Sequence, residues 1–177
     1  MSYSSQRILL SSQREGQVSR FRAWVMLAVP LAAILFQVYV PLFFQFLGFV
    51  ELPLLVVVYF ALMRRSPMSG LLVGAAVGLA QDSLSKNPLG MLGIVNTLVG
   101  YFAASVGLRL DVDHPLIRLL LAFFFYLFHQ SMYWVLAHAL LGQQFAIEIQ
   151  KTILIGALNA VVGIALFHFL DKLRELA

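Results

Sequence analysis

The sequence contains no cysteine and few charged residues. Its 177 residues include no Cys, and only 11% of them are Asp, Glu, Lys or Arg. Without cysteine the chain has no disulfide, no thiolate metal ligand and no cysteine nucleophile. An ordinary soluble domain has about a quarter of its residues charged, so the low charge argues against that class.

The motifs of common catalytic sites are also missing. The sequence has no HExxH zinc motif, no GxSxG nucleophile elbow and no phosphate-binding glycine loop. No Asp, Glu, Lys or Arg is expected at the middle of an apolar segment, where intramembrane proteolysis or ion-coupled transport needs charge. We therefore predict that the chain is not an enzyme, with no catalytic residue, cofactor or metal.

Apolar residues dominate the chain, at 61% of the sequence, and the mean hydropathy is +0.89. A chain of this length has too little interior to hide so much apolar surface from water, whereas lipid removes that difficulty. The apolar segments are at about 24–45, 50–63, 67–82, 88–108, 116–141 and 148–170. They predict an all-α, polytopic transmembrane bundle of six helices, forming one domain over 23–172 behind a polar tail over 1–22.

The distribution of Lys and Arg indicates how these segments cross the membrane. If all six cross with the N-terminus inside, ten of the 12 Lys and Arg residues are cytoplasmic, and only Lys86 and Lys151 lie outside. Segments two and three are short enough for a re-entrant pair, but that arrangement leaves eight inside and four outside. We predict six crossings with both termini cytoplasmic. The scattered basic residues concern topology and do not indicate a nucleic-acid partner.

Glycines recur on one face of the third segment and on one face of the fourth. The two sets are Gly70, Gly74 and Gly78, and Gly93, Gly100 and Gly107. Spacings of four and seven residues align glycines along a helix, which allows another backbone to approach closely. The pattern fits two alternatives, internal packing of these helices or a groove for a partner's transmembrane helix.

Asp82 stands at the end of the third segment, where a carboxylate faces the unfavourable negative end of the helix dipole. We therefore expect a local partner, for which Lys86 is the obvious candidate. Two interpretations remain open. Asp82 is either a solvated loop acid or an anchor that organises the loop over 82–90.

A few polar side chains lie inside the apolar segments. They are Asn96, Tyr126, His129, Gln130, Tyr133 and Asn159, with Trp134 at the edge of the face that the fifth segment presents. Polar groups in hydrocarbon need partners, so they should face the interior of the bundle. They serve either as hydrogen bonds between helices or as a ligand pocket or contact surface for another membrane subunit.

The stretch Gly78-Leu79-Ala80-Gln81-Asp82-Ser83-Leu84, followed by Pro88-Leu89-Gly90 and a glycine-punctuated helix, resembles the MreD family of bacterial rod shape-determining proteins. The matching positions are Gly78, Leu79, Asp82, Leu89 and Gly90. The Pro-containing start of segment two and the total length are also similar. The resemblance covers about 24–170.

The resemblance implies a non-catalytic component of the cell-elongation machinery in the bacterial inner membrane. Its expected partners are an MreC-like membrane-anchored scaffold, the wall glycosyltransferase and transpeptidase, and, indirectly, an MreB-like filament. The resemblance also implies kinship with the substrate-binding subunits of energy-coupling-factor vitamin transporters. That kinship supplies an alternative function, with Asn96, His129, Gln130 and Asn159 as the polar groups of a vitamin pocket.

Overall fold

The computed structural model describes residues 23–85, 88–142 and 148–175, and the regular secondary structure in these ranges is helical. The six α-helices are α1 (Ala23–Tyr39), α2 (Leu52–Arg64), α3 (Pro67–Leu84), α4 (Met91–Gly107), α5 (Pro115–Leu141) and α6 (Ile149–Glu175). The predicted all-α fold with six helices is confirmed. The tail over 1–22 and Lys86 lie outside the described residues.

The first helix ends earlier than predicted. Instead of continuing to about residue 45, α1 ends at Tyr39, and two short 3₁₀ segments, Val40–Leu42 and Gln45–Phe49, lead into α2. Pro41 stands at this break, where its missing backbone N–H and its ring disfavour a continuing α-helix, although α1 accommodates Pro30 in its interior. Proline also stands in the first turn of α2, α3 and α5. There it favours the start of a helix, because the N–H it lacks would have no partner within the helix.

Helix α2 forms the centre of the bundle. Each residue from Pro53 to Met63 is buried, and α2 contacts all five other helices. Such burial follows from its sequence, which is apolar on every side of the helix. The other helices expose large apolar side chains on their outer faces, as expected for surfaces that meet lipid.

Four helical stretches in the described ranges are long and apolar enough to cross a membrane. They are Trp24–Leu42, Gln45–Arg64, Pro115–Leu141 and Ile149–Leu173. Helix α4 is apolar but shorter, and α3, which carries Gln81 and Asp82, is not among them. By length and composition the chain therefore fits a membrane protein.

A polar network joins four parts of the chain at the end of the bundle where α5 begins and α6 ends. The Arg118 guanidinium pairs with the Asp171 carboxylate and donates from Nε to the Val112 carbonyl oxygen at 2.6 Å. The Tyr59 hydroxyl donates to the same carboxylate at 2.9 Å. Arg118 is only 9% exposed, so its guanidinium relies on these partners rather than on water. Through their hydrogen bonds the network ties α2, α5 and α6 to the loop before α5.

We expect Asp171→Ala to lower the free energy of unfolding by about 2–3 kcal/mol, because it leaves a largely buried guanidinium without this carboxylate. The loss is below the value of about 3–5 kcal/mol for a fully buried pair because the Asp171 side chain is 24% exposed. Thermal unfolding in mild detergent measures the change. The matched control is Asp113→Asn, since the Asp113 side chain is 65% exposed and its oxygen lies 3.5 Å from Arg118. Equal unfolding temperatures for the two variants would contradict a structural role for this network.

Candidate functional site

The glycine faces of α3 and α4 pack directly against each other. A Cβ atom added at Gly74 would lie 2.0 Å from the Asn96 carbonyl oxygen, and one at Gly70 would lie 2.2 Å from the Gly100 carbonyl oxygen. Gly78 has an equally close backbone neighbour. Atoms without a bond between them do not approach so closely, so only glycine allows this helix contact. The two helices form a tight hairpin.

This contact answers one question that the sequence leaves open. The face with Gly70, Gly74 and Gly78 is buried against α4, so it is not available to a partner's transmembrane helix. In the structure these three glycines pack internally, which is the first of the two alternatives. Gly107, at the other end of α4, similarly packs on the Leu62 backbone of α2.

The Asp82 carboxylate connects the end of α3 to the start of α4. It accepts hydrogen bonds from the backbone N–H groups of Gly90 at 2.9 Å, Leu92 at 3.2 Å and Gly93 at 3.0 Å. The first N–H groups of a helix have no partner within the helix, and the positive end of its dipole favours an anion. Asp82 therefore caps α4 from the preceding helix.

The geometry decides between the two interpretations of Asp82. The residue is 1% exposed, which excludes a solvated loop acid and favours an anchor for the loop. Gly90 adopts φ +94°, a left-handed conformation that glycine tolerates, at the residue before α4. Lys86, the expected partner, lies outside the described residues. The sequence signal for this cap was an acidic residue a few positions before a helix that begins after a glycine. The sequence did not show which backbone N–H groups the carboxylate would bind.

The two leucines of the motif differ in their surroundings. Leu79 packs on Gly93, where an added Cβ would lie 2.8 Å from Leu79 Cδ2. Leu89 is 79% exposed at the tip of the hairpin. Beside them a shallow apolar depression of about 340 Å³ runs along the outer face of α3 and α4. This outer groove is lined by Ala75, Leu79, Gly90, Gly93, Ile94, Thr97 and Leu98.

Asn159 and Asn96 make hydrogen bonds between separate parts of the bundle. Asn159 Oδ1 accepts from the Glu51 N–H at 2.8 Å, and its Nδ2 donates to the Phe49 carbonyl oxygen at 2.8 Å. Asn96 Nδ2 donates to Gln81 Oε1 at 3.4 Å. Both asparagines are fully buried, so at these positions the interpretation as interhelical hydrogen bonds agrees with the structure.

His129 and Gln130 instead line a partly open cavity of about 510 Å³ between α1, the end of α3, the start of α4 and α5, with Glu51 from the residue before α2. The complete lining is Gln37, Val38, Leu42, Glu51, Gln81, Leu84, Ser85, Leu92, His129, Gln130 and Tyr133. The cavity thus brings the polar face of α5 together with Gln37, Glu51, Gln81 and Ser85, which the sequence analysis did not assign to a pocket. Those groups lie near helix ends, where a polar side chain is commonplace and carries no signal. Among the described residues, no group of three His, Asp or Glu side chains is placed to hold a metal ion.

Comparison with known protein families identifies the same family that the motif over residues 78–90 resembles. Residues 19–175 match the family model described as rod shape-determining protein MreD. No curated protein and no solved structure matches the chain. The match covers nearly the whole sequence and includes every helix described above. The chain therefore belongs to the MreD family, whose members are membrane proteins with a role in determining rod shape.

Proposed function

We propose that this protein is a non-catalytic inner-membrane component of the rod shape-determining complex that docks an MreC-like scaffold and so supports lateral peptidoglycan synthesis. Family membership over residues 19–175 is the observation that carries the proposal. The wall glycosyltransferase and transpeptidase are the further partners, and an MreB-like filament is reached indirectly.

We propose six crossings with both termini in the cytoplasm, in a fold akin to the substrate-binding subunits of energy-coupling-factor transporters. The basic residues support this orientation. Arg64 ends α2 and Arg65 follows it, Arg109 follows α4, and Arg118 lies in the first turns of α5. All four therefore stand at one end of the bundle. Positive residues of short loops are retained on the cytoplasmic side, so we infer that the Asp82 end lies on the outer side of the membrane.

The outer groove is the docking surface that we propose for the scaffold's single membrane helix. It is apolar, and its lining includes the small residues Ala75 and Thr97, which let a second helix approach closely. Leu79 and Gly90, which match the family motif, also line it. The inner face of the hairpin packs against α2, so the outer face is the side left for a partner.

A bulky side chain in the outer groove should prevent docking without unfolding the bundle. We expect Ile94→Trp to reduce scaffold co-purification from membranes by at least about tenfold, because about 1.4 kcal/mol of lost packing suffices for that change. Ile94 is 47% exposed, so tryptophan has room at this position in the protein alone.

Leu120→Trp is the matched control for the docking test. Leu120 is 63% exposed on α5, away from the outer groove, and receives the same large side chain. We expect this variant to retain the scaffold. Loss of the scaffold from Leu120→Trp alone, with retention by Ile94→Trp, would move the interface to the other side of the bundle.

A vitamin-binding transporter subunit is the second candidate function, favoured by the cavity beside His129 and Gln130. Asn96 and Asn159, which this alternative also invoked, do not line the cavity. Saturable binding of one vitamin by the purified protein, together with co-purification of ATPase subunits, would support it. A flat titration across a vitamin panel would reject it.

A further inference from the structure

The cavity beside α5 has the size and lining of a binding site. Its volume of about 510 Å³ falls in the range of about 300–1,000 Å³ that is typical of small-molecule pockets. It lies at the end of the bundle that carries Asp82, since Gln81 and Ser85 from the end of α3 contribute to its wall. Apolar side chains such as Leu42 and Leu92 complete the lining.

Several polar atoms of the lining residues lack hydrogen-bond partners. Among the described residues, four buried side-chain N or O atoms are without one, and three of these belong to this cavity. They are Gln37 Oε1, Ser85 Oγ and His129 Nδ1. Buried polar atoms are normally paired, so a cluster of unpaired ones beside a cavity marks a place where water or a polar ligand completes the pairing.

The lining carries one acidic side chain, which favours a positively charged occupant. Glu51 supplies a carboxylate, and the described lining residues include neither Lys nor Arg. Among the described residues, no salt bridge reaches Glu51. A carboxylate inside an apolar bundle is stabilised by a cation or by strong hydrogen-bond donors. Gln37 adds an amide oxygen that has no partner, and Gln81 Oε1, which accepts from Asn96 Nδ2, keeps a second lone pair for a donor-rich group.

We propose that this cavity binds a protonated primary amine, with the ammonium group against Glu51 and the cavity's amide oxygens. The Tyr133 ring offers a further favourable surface for a cation. Two sources supply this chemistry, the ethanolamine headgroup of a membrane lipid and a free small amine. The site is separate from the outer groove, so it stands whether or not the groove docks a scaffold.

The test uses the full chain in mild detergent and native mass spectrometry with lipids of matched acyl chains. Phosphatidylethanolamine carries the amine, and phosphatidylglycerol does not. We expect the protein to retain phosphatidylethanolamine selectively and Glu51→Gln to weaken that binding about tenfold, as loss of a charge-assisted hydrogen bond predicts. Glu51→Gln keeps the backbone N–H that bonds Asn159. The control Glu148→Gln removes a 66% exposed carboxylate that precedes α6 and should change nothing.

Competition separates the two sources of the amine. Displacement of the lipid by free ethanolamine would show that the cavity recognises the headgroup alone, and no displacement would show that it requires the lipid. Both outcomes support the site, provided that binding depends on Glu51. If Glu51→Gln fails to fold, Gln130→Leu, which removes another polar lining residue, replaces it. Equal retention of the two lipids by the wild type, or undiminished binding by the folded variants, would overturn the proposal.

Discussion

Gly74→Ala should destabilise the protein by about 3 kcal/mol, although the same change in an ordinary helix stabilises it by about 0.5–1 kcal/mol. The added methyl carbon would lie 2.0 Å from the Asn96 carbonyl oxygen and 2.7 Å from its carbonyl carbon. These are backbone atoms that no rotamer change can move. The two helices must therefore separate along the hairpin, which weakens every contact between α3 and α4.

Thermal unfolding in mild detergent measures this effect, with an expected fall of about 6–12 °C for a chain of this length. Gly48→Ala is the matched control, because its added Cβ would find its nearest neighbour, Pro41 Cβ, at an ordinary contact distance of 3.5 Å. We expect the control to unfold at the wild-type temperature. A Gly74→Ala protein as stable as this control would show that α3 and α4 do not pack through their glycines.

Asp82→Ala should lower the free energy of unfolding by about 2–5 kcal/mol, because it leaves three N–H groups at the start of α4 without their acceptor. Two of these bonds are buried, so water does not readily replace the carboxylate. Asp82→Asn retains one amide oxygen and should recover part of the loss. Rod shape should fail in cells that depend on the Ala variant.

Hydrogen exchange gives this prediction a local readout. In Asp82→Ala, the amides of Gly90, Leu92 and Gly93 should exchange faster than in the wild type, whereas amides in the middle of α2 should be affected less. Ser83→Ala is the control, since Ser83 Oγ donates only to the Leu79 carbonyl of its own helix and is exposed. Unchanged exchange at all three amides in Asp82→Ala would refute the cap.

Much of the fold was predictable because hydropathy acts locally along the chain. Six apolar segments predicted six helices, and the Pro-containing starts of α2, α3 and α5 fell within a few residues of their predicted positions. The end of α1 was missed because length alone favoured a longer span, whereas Pro41 divides the stretch. The all-round apolar sequence of α2 is equally compatible with a helix that faces lipid. Its central position becomes clear only when the structure shows the five helices around it.

The candidate site was less predictable because its contacts join distant positions. Spacing placed Gly70, Gly74 and Gly78 on one face, but it could not show whether that face meets another helix of the chain or a partner. Asp82 was singled out by its unfavourable place in α3, yet its backbone partners in α4 became visible only with the turn at Gly90. The cavity could not be predicted from the sequence, because Gln37, Glu51 and Ser85 come from three distant parts of the chain.

Cysteine cross-linking in membranes tests most directly whether the scaffold's membrane helix docks in the outer groove. The chain has no cysteine of its own, so a single introduced thiol reports on one position. Leu98→Cys lies in the outer groove and Leu120→Cys lies on α5 outside it. Each is paired with cysteines placed along the membrane helix of the MreC-like scaffold. We predict disulfide-linked adducts from Leu98→Cys with a helical periodicity and none from Leu120→Cys, whereas the reverse pattern would contradict docking through the α3–α4 hairpin.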